Sequence, residues 1–206
     1  MILAEDGDMG FFNWSAPAIR RYGERWNVDD VQVIVSWLRP FVPGGGHILD
    51  VGGGAGGLAR RITEALPSRV TVLDPTPELV KHVETSERVS AVLGSAEAMP
   101  FEDDEFDAVV VTDAFHHFRD CDGAVSEMAR VVRPGGAVLI LELDKSHLAI
   151  RLIGIAERLV GEPAAFFTPE GLCAFMAQHK IEGEYERLAG ASYRFLGVVR
   201  KPWAAA

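Results

Sequence analysis

His47-Ile48-Leu49-Asp50-Val51-Gly52-Gly53-Gly54-Ala55-Gly56-Gly57 is the stretch from which the rest of the chain can be read. Its first five residues form a short, mostly apolar run between two glycine clusters, 44–46 and 52–57, which predicts a strand. Leu58, Ile62, Ala65 and Leu66 then follow at helical spacing until Pro67 stops them. The glycines therefore stand between a strand and a helix, where each has a mechanical use. Gly52 permits a sharp turn, Gly54 lets backbone approach a ligand, and Gly56 lets the helix lie close on the strand. The helix start offers N–H groups that have no partner within the helix.

Working outward, strands and helices alternate. Arg69–Leu73 reads as a strand, Thr76–Thr85 as a helix with Thr76 as its cap and Pro77 in its first turn, and Arg88–Leu93 as a third strand. Phe106–Thr112 is nearly all apolar, as a strand buried on both faces should be. Val125, Met128, Ala129 and Val132 make a helical stripe ended by the turn Arg133-Pro134-Gly135-Gly136, and Ala137–Leu143 is a fifth strand. Before this series, Val28, Val31, Ile34, Val35 and Leu38 predict a helix that Pro40 and Pro43 terminate. After it, Leu148, Leu152, Ile155 and Leu159 predict an apolar helix outside the alternation, an insertion able to roof a pocket. Thr168-Pro169-Glu170 opens a helix through His179 with Leu172, Phe175 and Met176 on one side.

Two final strands, about 181–188 and 193–200, are separated by a connection too short for a parallel crossover, so they form a hairpin. The expected fold is α/β: a Rossmann-like three-layer sandwich on a mostly parallel seven-stranded sheet with an antiparallel last strand. One domain spans 1–206, divided into an aromatic and helical cap (1–40), a cofactor-binding core (47–143), a cap insertion (146–167) and a closing helix with hairpin (168–201).

Asp74 ends the second strand, 24 residues beyond Asp50. A carboxylate there can accept hydrogen bonds from both hydroxyls of a ribose, or it can cap the helix that starts at Thr76. Gly52-x-Gly54-x-x-Gly57 also satisfies the dinucleotide fingerprint, so an NAD-dependent oxidoreductase is the rival enzyme reading. Two features weigh against it. Asp50 precedes the first glycine by two residues, where an anion opposes a pyrophosphate and favours an ammonium group. The closing hairpin also replaces a second mononucleotide-binding half.

With these stretches in view, the chain resembles the class I methyltransferases, and within them the small-molecule type 11 group that includes ubiquinone and menaquinone methylases. The resemblance is carried by Ile48–Gly57, Val72–Asp74, Gly94–Phe101, Phe106–Phe118 and Ala129–Gly136. It implies S-adenosylmethionine as cofactor, with Asp50, Gly52, Gly54 and Gly56 about the methionine part, Asp74 and Pro75 at the ribose, and Ser95 and Ala96 at the adenine edge. Asp113 joins this set from the loop after the fourth strand. Ser95 stands where the family usually has aspartate. A neutral hydrogen bond replaces a charge-assisted one there, a loss of about 1 kcal/mol of cofactor affinity, with Glu97 as a substitute acceptor.

The remaining cluster is Thr112-Asp113-Ala114-Phe115-His116-His117-Phe118, past the carboxyl end of a strand, where open α/β sheets hold their ligands. His116 is the candidate catalytic base, since imidazole titrates near neutrality. No metal is expected, because adjacent histidines seldom converge on one ion without further ligands. Methyl transfer from a sulfonium releases a neutral thioether, so alignment and exclusion of water can carry most of the reaction. A module that binds cofactor without turnover, and an aminopropyl transferase, are the other readings.

Bulk properties bound the partners. A net charge of −10 disfavours a phosphate backbone, so no nucleic acid partner is expected, and a small apolar or aromatic molecule is the expected acceptor. No apolar run is long enough for membrane insertion, and Met1–Met9 is acidic and lacks the apolar core of a secretory signal. Cys121 and Cys173 form neither a disulfide framework nor a thiol-rich site. The expectation is a cytoplasmic monomer or homodimer.

Overall fold

The computed structural model describes residues 28–201. Residues 1–27 of the expected aromatic and helical cap lie outside the described residues.

Strands β1 (His47–Val51), β2 (Arg69–Asp74), β3 (Val89–Leu93), β4 (Phe106–Thr112), β5 (Val132–Leu143), β6 (Ile181–Arg187) and β7 (Ser192–Val199) form one sheet in the order β3-β2-β1-β4-β5-β7-β6. The first five pair in parallel, and β7 runs antiparallel to both β5 and β6. Strand periodicity sorts the core into two layers. Ile48, Val70, Val72, Ala108, Val110 and Leu139 face helices α1 (Val28–Leu38) and α2 (Gly57–Ala65). Leu49, Val51, Val109, Val111, Val138 and Ile140 face α4 (Cys121–Val131) and α6 (Pro169–Gln178). Because β1 and β4 bury both faces, they sit mid-sheet, and their carboxyl ends open where the strand order reverses.

Four expectations are corrected. The helix predicted over Thr76–Thr85 is one turn, α3 (Pro77–Val80), and Thr76 makes no side-chain cap bond. Its N–H is taken by the Asp74 carboxylate two residues earlier, at 2.9 Å. The turn predicted at Arg133–Gly136 lies inside β5, which starts at Val132; the register with β4 shifts between Phe106 and Ala108 to absorb it. Arg133 ties that irregularity down, its Nε bonding Asp107 at 2.6 Å and its Nη2 the Phe41 carbonyl at 2.8 Å.

The fourth correction concerns α5 (Leu148–Leu159). Its predicted apolar stripe, Leu148, Leu152, Ile155 and Leu159, is the exposed one. The helix instead buries Ile150 and Gly154, which pack in a small third cluster with Ala164 and Phe166. No described helix is long and apolar enough to cross a membrane.

Candidate active site

At the end of β1 the chain reverses through three left-handed glycines, Gly52 (φ 71°), Gly54 (φ 56°) and Gly56 (φ 76°). Gly52 has no room for a side chain, since a Cβ would stand 2.5 Å from that of Ala114. Gly56 is held by packing, because a Cβ there would meet Val83 at 2.9 Å. Beneath the turn lies Asp50, 1% exposed, with both carboxylate oxygens buried and without a hydrogen-bond partner. Burial, with the charge of Asp74 adding, pushes its pKa up to about 7. A carboxyl this deeply buried without a partner is costly to ionise.

Asp74, at the tip of β2, is the clamp between two loops. One oxygen accepts the Gly54 N–H at 3.0 Å, and the other accepts that of Thr76 at 2.9 Å. Burial raises its pKa, against the pull of those backbone bonds and of the Thr76 side chain. Each carboxylate oxygen has a second lone pair, so the clamp keeps acceptor capacity for a bound diol.

Across the cavity, β4 ends at Thr112, Asp113 holds a left-handed backbone (φ 50°), and Phe115–His117 form one 3₁₀ turn. A non-glycine residue in that region is locally strained, a feature concentrated at functional sites. His116 is 5% exposed, and its Nδ1 bonds the Glu142 carboxylate at 2.8 Å. Glu142 is a buried acid on β5, and its other oxygen accepts the Leu143 N–H at 2.8 Å. Burial works to lower the His116 pKa; the bond to Glu142 and the charges of Glu142, Glu157 and Asp113 raise it overall. The ring stacks on Phe166 at 4.2 Å and 15°. His117 lies beside it with ring centroids 4.0 Å apart, its Nδ1 3.2 Å from the Pro163 carbonyl. Burial and the neighbouring His116 push its pKa down to about 4.

These features line one cavity of about 770 Å³. Gly52, Gly54, Asp74, Pro75, Ser95 and Ala96 form one wall; Asp113, His116, Glu157, Glu162 and Phe166 form the other. A glycine turn, a clamped carboxylate and an orphaned acid fit a nucleoside carrying an ammonium group, in a space of ligand size.

Residues 49–140 match the family model described as a methyltransferase domain. Over that stretch the chain is similar to methyltransferase domains. The sequence is 36% identical over 120 residues to a protein of Paracoccus denitrificans named ubiquinone/menaquinone biosynthesis C-methyltransferase, covering 54% of this chain and 47% of that one. The chain therefore aligns with about half the length of that relative. Among solved structures, the fold matches the methyltransferase seen in complex with the Trm112 activator of Haloferax volcanii, with TM-score 0.78, 17% identity and coverage of 98% of this chain and 100% of that one. It also matches a SAM-dependent methyltransferase of Aquifex aeolicus, with TM-score 0.69, 16% identity and coverage of 89% and 98%.

The predicted site residues separate into two groups. Gly52, Gly54, Asp74, Pro75, Ser95, Ala96, Asp113 and His116 line the cavity; Asp50 and Gly56 do not. Asp50 stands under the turn, away from the cavity surface, and Gly56 sets helix packing. Glu97, considered as a substitute adenine acceptor, instead accepts the N–H groups of Arg119 at 2.9 Å and Asp120 at 3.4 Å. Glu142, Glu157, Glu162 and Phe166 were not found by sequence reasoning. Glu142 alone had a legible signal: a carboxylate inside the apolar run Ala137–Leu143 must have a buried partner.

Proposed function

We propose that the chain is an S-adenosylmethionine-dependent methyltransferase acting on a small apolar or aromatic acceptor whose reacting atom must first lose a weakly acidic proton. The carrying observation is that one cavity joins the glycine turn and the Asp74 clamp to the buried His116–Glu142 pair. The core 47–143 holds the cofactor, 146–167 caps the acceptor side, and 168–201 closes the sheet.

When bound, the cofactor supplies an electrophilic methyl group on a sulfonium. The protein's part is alignment. Asp74 would accept from the ribose, Ser95 and Ala96 would meet the adenine edge with Pro75 beside the sugar, and the Gly52–Gly56 turn would hold the amino-acid tail. Asp50 lends negative potential to the ammonium end, and Asp113 shapes the mouth between the halves. His116 takes the acceptor's proton on Nε2 while Glu142 fixes its Nδ1–H and stabilises the imidazolium. The apolar faces of Phe166 and Ile153 exclude water. The name of the Paracoccus relative, a quinone-pathway C-methyltransferase, supports an apolar ring as acceptor.

Calorimetric titration tests the cofactor half. S-adenosylmethionine should bind with one site per chain, NADH should not, and Asp74→Asn should weaken the first by about tenfold to a hundredfold. Unchanged affinity in that variant overturns the reading. For the acceptor half, His116→Gln should lower kcat about a hundredfold or more while cofactor affinity holds; equal losses in both would reject the base.

A further inference from the structure

His116, His117 and Glu157 converge at the inner wall of the cavity, and we propose that they form a site for a divalent transition-metal ion of the zinc type. One ring nitrogen from each histidine and one carboxylate oxygen of Glu157 lie within 4.8 Å of one another. Ligand atoms around tetrahedral zinc stand about 3.4 Å apart for bonds near 2.1 Å, so small side-chain rotations close the set. The sequence argument against a metal was that neighbouring histidines diverge and lack a third ligand. The 3₁₀ turn removes the first objection by bringing the rings to 4.0 Å, and α5 removes the second by delivering Glu157.

Both imidazoles are already oriented as ligands. Nδ1 of His116 donates to Glu142 at 2.8 Å, and Nδ1 of His117 donates to the Pro163 carbonyl at 3.2 Å. Each bond fixes the neutral tautomer with its lone pair on Nε2, the arrangement by which outer carboxylates and carbonyls support metal-bound histidine. Independently, Oε2 of Glu157 is buried and has no hydrogen-bond partner. An unsatisfied carboxylate oxygen is costly, and a cation satisfies it. Two imidazoles and one carboxylate select zinc, iron, cobalt, nickel or manganese over magnesium and calcium, which prefer all-oxygen shells.

Three protein ligands leave a coordination position open, and these residues line the cavity, so the position faces an incoming acceptor. Only this last consequence rests on the methyltransferase reading: an acceptor oxygen bound there would be held as its anion, with its proton released to solvent. His116 is then a ligand in the metal-bound chain, where the ion holds the acceptor's anion, and the base in the metal-free chain.

The test uses the tag-free, metal-stripped full chain with zinc and, as a spectroscopic probe, cobalt(II). One equivalent per chain should be retained after dialysis, with the visible absorption of histidine-ligated cobalt. Glu157→Gln and His117→Asn should each weaken binding by about tenfold or more, and Glu142→Gln by about tenfold to a hundredfold. His179→Asn, whose imidazole lies beside Asp122 at 3.1 Å on another face, should change nothing. Sub-stoichiometric retention, or wild-type affinity in Glu157→Gln, overturns the site. Circular dichroism checks folding, and Glu157→Gln decides if His117→Asn fails to fold, since Glu157 sits on a largely exposed helix. Titrating S-adenosylmethionine with chelator present separates the two readings: cofactor binding without metal binding removes only the ion, and stoichiometric zinc without cofactor binding removes only the methyltransferase.

Discussion

The wall of the cavity that carries Gly52 and Gly54 comes from consecutive residues at the end of β1, tied to β2 through Asp74. The facing wall gathers His116 from a 3₁₀ turn, held from behind by Glu142 of β5, and Glu157, Glu162 and Phe166 from α5 and the loop after it. The first wall is over-determined locally: positive φ angles and forbidden Cβ positions leave few alternatives to glycine. The second holds together by buried hydrogen bonds and one ring stack between segments far apart in sequence. A local wall should fail by steric clash, and an assembled wall by loss of orientation.

Breaking the local wall should give the largest effect. Gly52→Val forces a β-branched side chain into a left-handed backbone and onto Ala114, for a loss of about 3 kcal/mol or more. Chemical denaturation should show it, together with loss of cofactor binding; a variant as stable as the parent would mean that the turn is plastic.

Asp50 sharpens the same wall electrostatically. Its carboxyl holds a proton up to about pH 7 in the folded chain, whereas an unfolded aspartate loses it near pH 4, at about 3.9. Between those values the folded state binds the extra proton, so stability falls as pH rises through the window and is flat above it. Asp50→Asn removes the dependence, and the melting-temperature difference between variant and parent should grow from acid pH to neutrality. A difference that stays constant with pH would show that the carboxyl is not the buried acid described.

On the assembled wall the two faces of α5 make a paired test. Ile150→Ala removes a side chain that is 5% exposed and packs on Phe166 and Ala164, for about 2 kcal/mol. Leu159→Ser, at a position 82% exposed, should change stability by less than about 0.5 kcal/mol. Equal losses would mean that the exposed face packs against something in solution.

How much of this was legible follows from the range of each interaction. The strands themselves, the reversal at β1 and the closing hairpin follow from periodicity and glycine placement, which act over a few residues. The single-turn α3 was misread because the Asp74 carboxylate supplies what the predicted Thr76 cap would have supplied. The α5 stripe was misread because periodicity identifies an apolar face without saying whether the fold has anything to cover it.

The sequence alone determined the sheet, the glycine turn and the acid at the end of β2, because sterics and alternation are written in neighbouring residues. Only the tertiary structure decided that Glu142 orients His116, that Glu157 reaches the same point, and that Asp50 lies beneath the cavity. Those outcomes depend on which distant segments share a low-dielectric interior, where a side chain's partner sets its chemistry.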